Sequence, residues 1–414
     1  MVWAARCAQW MHRYPPTASL GRRRLPNVGR LSMPAALACP AGEGALRRAS
    51  SITPELPGNR NREMPGPPPI HPFFVENLRG LGQVVFCNSA LSGSFIAAAL
   101  LWGDAELGVT ALAGVTSATL TARAASLDQE AISAGLMGYN GALVGCALSI
   151  FRPGVPFWTA LAGTVGCSPP VMTSVAMLGL TTVGASLTAL LAAKLGPAMA
   201  PVPQYTIVFN AVTCAILAGF AMAMPTPEKK AKTDEETKEP KARGSPLGFL
   251  LRLGAIPDML DATFHGISQI FVLDDAGTGL MVAAGIFCYS PAAAAVTIAG
   301  SFLGSLTAVL CGQDVNDVMD GLWGYNSALT ALAVSIFFVP LGVPYALLIC
   351  GGAMASTLAM IGLKGVLPAF LPCMTIPFCA VASGCFLTGG RVPGLVHARP
   401  PHSPEVNFHA HTRL

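Results

Sequence analysis

One six-residue string occurs twice and constrains everything else. The first copy is Gly135-Leu136-Met137-Gly138-Tyr139-Asn140; the second is Gly321-Leu322-Trp323-Gly324-Tyr325-Asn326, 186 residues later. The same offset carries Gln83 to Gln269, Gly93 to Gly279, Gly114 to Gly300, Asp128 to Asp314 and Phe151 to Phe337. A register held over so many positions is an internal duplication. The period is too long for a solenoid. It suits a membrane transporter or channel made of two structural repeats with its site at their interface.

Composition sets the medium. Apolar types make up 52% of the 414 residues and charged types 11%, where soluble domains carry about a quarter. Uncharged stretches long enough to span a bilayer recur from Gln83 onward, which predicts a polytopic helical membrane protein. The net charge of +4 comes mostly from the first fifty residues and points to no nucleic-acid partner. The twelve Cys, among them Cys87, Cys146, Cys167, Cys214, Cys288 and Cys311, form no Cys-x-x-Cys or His/Cys cluster. They read as small apolar fillers of helices, and no metal or cofactor is expected.

In chain order, residues 1–70 form a basic tail or targeting segment, with eight Arg and one acid, Glu43, through Ser51. Residues 71–224 are the first membrane repeat, 225–246 a charged linker, 247–390 the second repeat and 391–414 a short basic tail. Candidate spans in the first repeat are Gln83–Trp102, Leu107–Ser126, Ala131–Phe151, the stretch from Arg152 to Lys194 and Tyr205–Met224. In the second they are Phe264–Cys288, Ala292–Cys311, Val318–Val339, Val343–Leu363 and Val366–Leu387. Five per repeat is an odd number, so the second copy enters from the opposite side and the repeats are inverted. The basic ends place both termini in the cytoplasm. Plasma membrane is the expected location; an organellar membrane is the alternative that the basic head allows.

Charged residues fall between spans or at their ends, and Arg123 sits late in its span, where it can snorkel. Asp274-Asp275 falls where the first repeat reads Asn88-Ser89, at an expected helix break that tolerates charge. His265 reads as a structural, hydrogen-bonded side chain. What is duplicated is neutral: Gln83 with Gln269, Asn140 with Asn326, and Thr206 with Thr375 late in each repeat. Amides and hydroxyls doubled about a pseudo-two-fold axis suit a neutral polar solute, because they offer hydrogen bonds without burying a charge. Singly, such residues often only tie helices together.

Five segments carry a resemblance. They are Gln83-Val84-Val85-Phe86 with Leu91-Ser92-Gly93, the two Gly-Leu-x-Gly-Tyr-Asn strings, Gln269-Ile270-Phe271, and Leu371-Pro372-Cys373-Met374-Thr375-Ile376-Pro377-Phe378. Over Gln83 to Leu387 the chain resembles the urea transporter family. The resemblance implies a homotrimer in the lipid bilayer, each subunit with two inverted repeats of five helices, tilted half-helices and its own central pore. It implies that urea diffuses passively through a narrow filter. Gln83 and Gln269 would accept its N–H groups, Thr206 and Thr375 would form the constriction, and Val84, Phe86, Leu143, Ile270 and Leu329 would make apolar slots for its flat faces. This chain departs from the family in having Ser89-Ala90 and Asp275-Ala276 where Asn-Pro is usual, Val272 in place of a slot Phe, and Val208 in place of a Pro. Phe151 to Thr206 is 55 residues against 38 from Phe337 to Thr375, so an insertion is expected near Gly163–Met177.

Other classes fit less well. The Asn88-Ser89-Ala90 and Asn326-Ser327-Ala328 triplets do not occupy matching places, as a water channel requires. An ammonium channel would show paired pore His. An enzyme needs a nucleophile and base or metal ligands on facing helices, and no phosphate-binding loop is present for ATP drive. A receptor leaves the duplicated polar residues unexplained. Other neutral amides, ammonia or water, and ion-coupled urea uptake remain as alternatives.

Overall fold

In a computed structural model of the chain, the structure describes residues 71–151, 169–223, 255–368 and 370–413, without the side chains of 169–173, Ala223 and Ala255. The expected basic head and charged linker lie outside these residues. Regular structure among the described residues is helical, apart from one isolated bridge between Phe338 and His397.

The first repeat comprises α1 (Pro72–Gln83), α2 (Ala90–Gly103), α3 (Ala105–Ala124), α4 (Gln129–Ser133), α5 (Tyr139–Ile150), α6 (Pro169–Met199) and α7 (Ile207–Ala223). The second comprises α8 (Ala255–Ser268) with a 3-10 turn (Gln269–Phe271), α9 (Ala276–Tyr289), α10 (Pro291–Leu310), α11 (Val315–Met319), α12 (Tyr325–Phe337), α13 (Gly342–Lys364) and α14 (Ile376–Thr388). Starts and stops coincide at the 186-residue offset from α2 to α5, except that α12 runs one residue further than α5. The last helix of each repeat instead follows an offset of 169, since Thr206 precedes α7 as Thr375 precedes α14. The difference puts 17 extra residues before α6 in the first repeat, largely outside the described residues.

The signals that end each helix are duplicated too. Asp104 accepts from the Leu107 N–H and Ser290 from the Ala293 N–H, capping α3 and α10; Asp128 and Asp314 cap α4 and α11. Such a cap contributes about 1 kcal/mol. Where Asn-Pro would be usual, Ser89 and Asp275 cap α2 and α9, so the chain break survives without proline. Arg123 makes a two-pronged ion pair with Glu76, at 2.6 and 2.8 Å, and lies over the Phe73 ring. The pairing answers the cost of a buried carboxylate, since Glu76 is nearly fully enclosed.

Three described helices, Ser174–Met199, Pro291–Leu310 and Gly342–Lys364, are long and apolar enough to cross a membrane singly. The pair Ile256–Phe271 and Ala276–Tyr289, bent by 76°, counts as a fourth. The expected single span Ala131–Phe151 is divided into α4, a turn and α5, and the expected span Gln83–Trp102 is broken at residues 84–89. A 12-residue helix such as α1 or α5 is about 18 Å long, against roughly 30 Å of hydrocarbon. Broken backbone at that depth requires protein or a lined cavity around it. Here α2 packs on α9, its own counterpart, and α7 on α14.

The expected C-terminal tail is built structure. Val339 N–H donates to the Val396 carbonyl at 2.9 Å and Ala398 N–H to the Phe337 carbonyl at 2.9 Å. A last helix, α15 (Pro404–Thr412), brings Glu405 to the Ser290 hydroxyl and the Ala292 N–H at the start of α10.

Candidate functional site

The duplicated string is a clamp. Its first glycine, Gly135 or Gly321, has φ of +78° or +73°, and a Cβ there would lie 2.4 Å from the Gly80 nitrogen or 2.3 Å from the Gly266 nitrogen. Only glycine meets both demands. The turn so formed launches α5 and α12. The Tyr139 hydroxyl donates to the Tyr205 carbonyl, and the Tyr325 hydroxyl donates to the Met374 carbonyl at 2.7 Å. The Asn140 Oδ1 accepts from the Phe209 N–H at 3.3 Å, and the Asn326 Oδ1 from the Phe378 N–H at 3.1 Å. Each string therefore grips one carbonyl just before a threonine and one N–H three residues after it. Asn140 and Asn326 position backbone.

The threonines so held are Thr206 and Thr375. Both are 3% exposed, and their hydroxyls are 2.7 Å apart. Thr375 O–H donates to the Asn210 Oδ1 at 3.1 Å; Cys379 Sγ lies 3.2 Å from Thr206 Oγ1, and Asn210 Nδ2 lies 3.6 Å from Cys379 Sγ. Four side chains, two from each repeat, thus close a ring of hydrogen bonds with no formal charge. Asn210 and Cys379 are counterparts, and sequence reasoning missed both. The signal was present in Thr206-Ile207-Val208-Phe209-Asn210 against Thr375-Ile376-Pro377-Phe378-Cys379, but it appears only when the offset is moved to 169.

Gln83 Nε2 donates to the Ala134 carbonyl at 2.9 Å, and Gln269 Nε2 to the Asp320 carbonyl at 3.0 Å, again counterparts. With the amide NH2 anchored, the oxygen is oriented as an acceptor. Just beyond each Gln the helix ends on a left-handed residue, Phe86 (φ +57°) or Val272 (φ +63°). In both, the next residue's N–H bonds back to residue 82 or 268, and the left-handed residue's own N–H to the Gln carbonyl. This is a Schellman cap that satisfies the freed carbonyls. Left-handed backbone at a bulky residue costs about 1–2 kcal/mol, and Tyr205 (φ +45°) and Met374 (φ +44°) repeat the pattern beside the threonines.

A cavity of about 600 Å³, lined by residues of both repeats, reaches Thr375. Gln269, Ile270, Val272, Asp274, Lys364, Cys373 and Met374 are among its walls. Of the other expected slot residues, Val84, Leu143 and Leu329 are at most 3% exposed and belong to the packed core, while Phe86 is partly buried against it. His265 is hydrogen-bonded: its Nδ1 is 2.6 Å from Asp274, one of the cavity walls, and its Nε2 3.5 Å from Asp261. Lys364 pairs with Asp317 at 3.1 Å and stacks over Trp323. No group of three or more His, Cys, Asp or Glu suited to a metal occurs among the described residues.

The sequence of residues 74–390 matches the family described as "UT: Urea transporter". The chain belongs to the urea transporter family. It is similar to proteins named "Urea transporter 1": 29% identical over 286 residues in Rattus norvegicus, 66% of each chain, 28% over 277 in Mus musculus, again 66% of each, and 27% over 314 in Ovis aries, 73% of each. The chain thus spans about two thirds of the length of the rat and mouse proteins. As a family member it is an integral membrane protein with an all-helical fold, and the family is one of transporters rather than enzymes. The described tail, 391–413, lies beyond the family match.

Proposed function

We propose that the protein conducts urea passively through a narrow filter in each subunit of a homotrimer, in the plasma membrane. The two repeats are inverted, each supplying five spanning segments and a tilted half-helix ending near Gln83 or Gln269. The observation that carries the reading is the uncharged ring Thr206–Thr375–Asn210–Cys379, shared by both repeats and held by both clamps. Urea is planar, neutral and carries four N–H donors and one acceptor. Replacing its water requires acceptors along the path and one donor for its carbonyl. The Gln83 and Gln269 amide oxygens supply the first and the threonine hydroxyls can supply either. An ion would meet no compensating charge at the ring, and its desolvation is prohibitive there.

Purified protein in proteoliposomes tests the assignment. Gln83→Ala and Gln269→Ala are each expected to cut urea efflux by about tenfold, the kinetic weight of one hydrogen bond of roughly 1.4 kcal/mol. Wild-type flux in both variants, with assembly intact, overturns the roles. Ion-coupled uptake is the second reading, favoured by Asp274, a cavity wall paired with His265. A requirement for a proton or sodium gradient distinguishes it.

A further inference from the structure

The ring of four side chains shared by the repeats has a direction. Asn210 Oδ1 lies 3.2 Å from the Thr375 backbone nitrogen. A backbone N–H can only donate, so the amide oxygen of Asn210, not its nitrogen, faces Thr375. The Thr375 hydroxyl lies 3.1 Å from the same oxygen, which carries no proton, so the hydroxyl donates to it. A hydroxyl has one proton, and this one is spent. The 2.7 Å contact between the two threonines is therefore made by the Thr206 proton. At its 3.2 Å contact with Cys379, Thr206 can then only accept, and the thiol supplies the proton. The Cys379 sulfur in turn accepts from Asn210 Nδ2 at 3.6 Å. Each link is forced by the one before it, and bonds joined head to tail polarise one another in that one sense. All four residues are buried.

We infer that Asn210 is a positioning residue that makes the two threonines accept hydrogen bonds from a solute and not donate them, with Cys379 completing the circuit. In isolation a threonine hydroxyl supplies either bond. Here both protons are committed within the ring, and each oxygen, with one lone pair taken by its neighbour, keeps one uncommitted. The path thereby favours flat neutral solutes with N–H groups on both edges, and disfavours solutes of the same shape that bring a methyl group on one edge. A donor for the solute's carbonyl comes from outside the ring. The inference deepens the urea reading and rests on it for the natural solute; the direction of the ring does not depend on it.

Two readouts test it. The S–H stretch falls in a clear infrared window, and the difference spectrum between wild type and Cys379→Ala isolates this one thiol. Its band is expected at the lowered frequency of a donating thiol, and is expected to rise in Thr206→Val, which removes the acceptor. A band at the free-thiol frequency, or one unmoved in Thr206→Val, overturns the inference. The second readout is the ratio of urea to acetamide efflux from proteoliposomes, corrected for protein-free vesicles. The two solutes share a shape and differ by one N–H edge. Asn210→Leu nearly keeps the volume and frees the Thr375 proton, so the ratio is expected to fall about tenfold, the weight of one hydrogen bond. Cys379→Ser can take and give the same two bonds and is expected to retain the wild-type ratio. An unchanged ratio in Asn210→Leu that assembles like wild type overturns the inference and leaves the urea reading standing. If wild type passes no urea, the urea reading fails; in that case, or where Asn210→Leu does not assemble, the S–H band decides this one alone.

Discussion

At residue scale, most of the chemistry goes into holding backbone. Asn326 Oδ1 takes the Phe378 N–H, and its Nδ2 gives to the Met374 carbonyl at 3.1 Å. Asn326→Ala leaves the buried Phe378 N–H unpaired and takes one of the two donors from the Met374 carbonyl, at roughly 1–3 kcal/mol, and is expected to lower the melting temperature clearly in detergent. Thr206→Val behaves differently. It keeps the shape and breaks the ring, so urea flux is expected to fall about tenfold with a melting shift smaller than that of Asn326→Ala. Equal melting losses with unchanged flux for Thr206→Val would remove the ring from the transport path. The sequence exposed the threonine and glutamine pairs but not why the Tyr-Asn string is duplicated. Its partners are main-chain groups 48 to 69 residues away, and nothing in a list of side chains announces a backbone acceptor.

At the scale of elements, helix ends obey their local sequence. Ser126 (φ +52°) and Gly312 (φ +74°) terminate α3 and α10 with the same pair of back-bonds. A Cβ on Gly312 would meet nothing, so Gly312→Ala isolates the left-handed penalty of about 1 kcal/mol, and Ser126→Gly is expected to gain a comparable amount. Thermal melts of the two variants in one detergent check the opposite signs. The C-terminal strap is pH-dependent. His397 sits against Phe386 and Phe338, with ring centroids 4.3 and 4.8 Å away. Burial first, and Arg399 second, hold its pKa below the ordinary 6.5. A depressed histidine favours the folded state fully above pH 6.5, and that contribution is lost as pH falls through 6.5 toward the lower folded value. Burial pushes Glu405 up, but the Ala292 N–H and Ser290 hydroxyl outweigh it and leave it below 4.5, so its contribution is lost only in stronger acid. The protection factors of the Val339 and Ala398 amides against hydrogen exchange are therefore expected to fall below pH 6.5. His397→Phe is expected to flatten that response; a response that persists in it contradicts the assignment.

At the scale of the molecule, the duplication was legible because both copies keep the same caps, turns and clamps. Span boundaries were less so. Hydropathy averages over a window, and it cannot see that residues 84–89 or 134–138 break an apolar run when the break is made by a left-handed Phe or a Gly packed on a neighbouring helix. The folded tail was illegible for another reason: its partners, Phe337, Val339 and Ser290, are main-chain and capping groups of helices already complete without it. Two differences between the repeats, Phe86 against Val272 and Tyr205 against Met374, carry weight only once the rings of Phe86 and Tyr205 are seen to meet. On the proposed reading a neutral solute crosses a neutral waist without being driven. The deciding measurement is urea efflux from proteoliposomes, with and without imposed proton and sodium gradients. Fast urea flux, equal in all conditions and reduced in Thr206→Val, is the expected result; flux that appears only with a gradient, or an absence of urea flux from well-assembled protein, would contradict passive conduction.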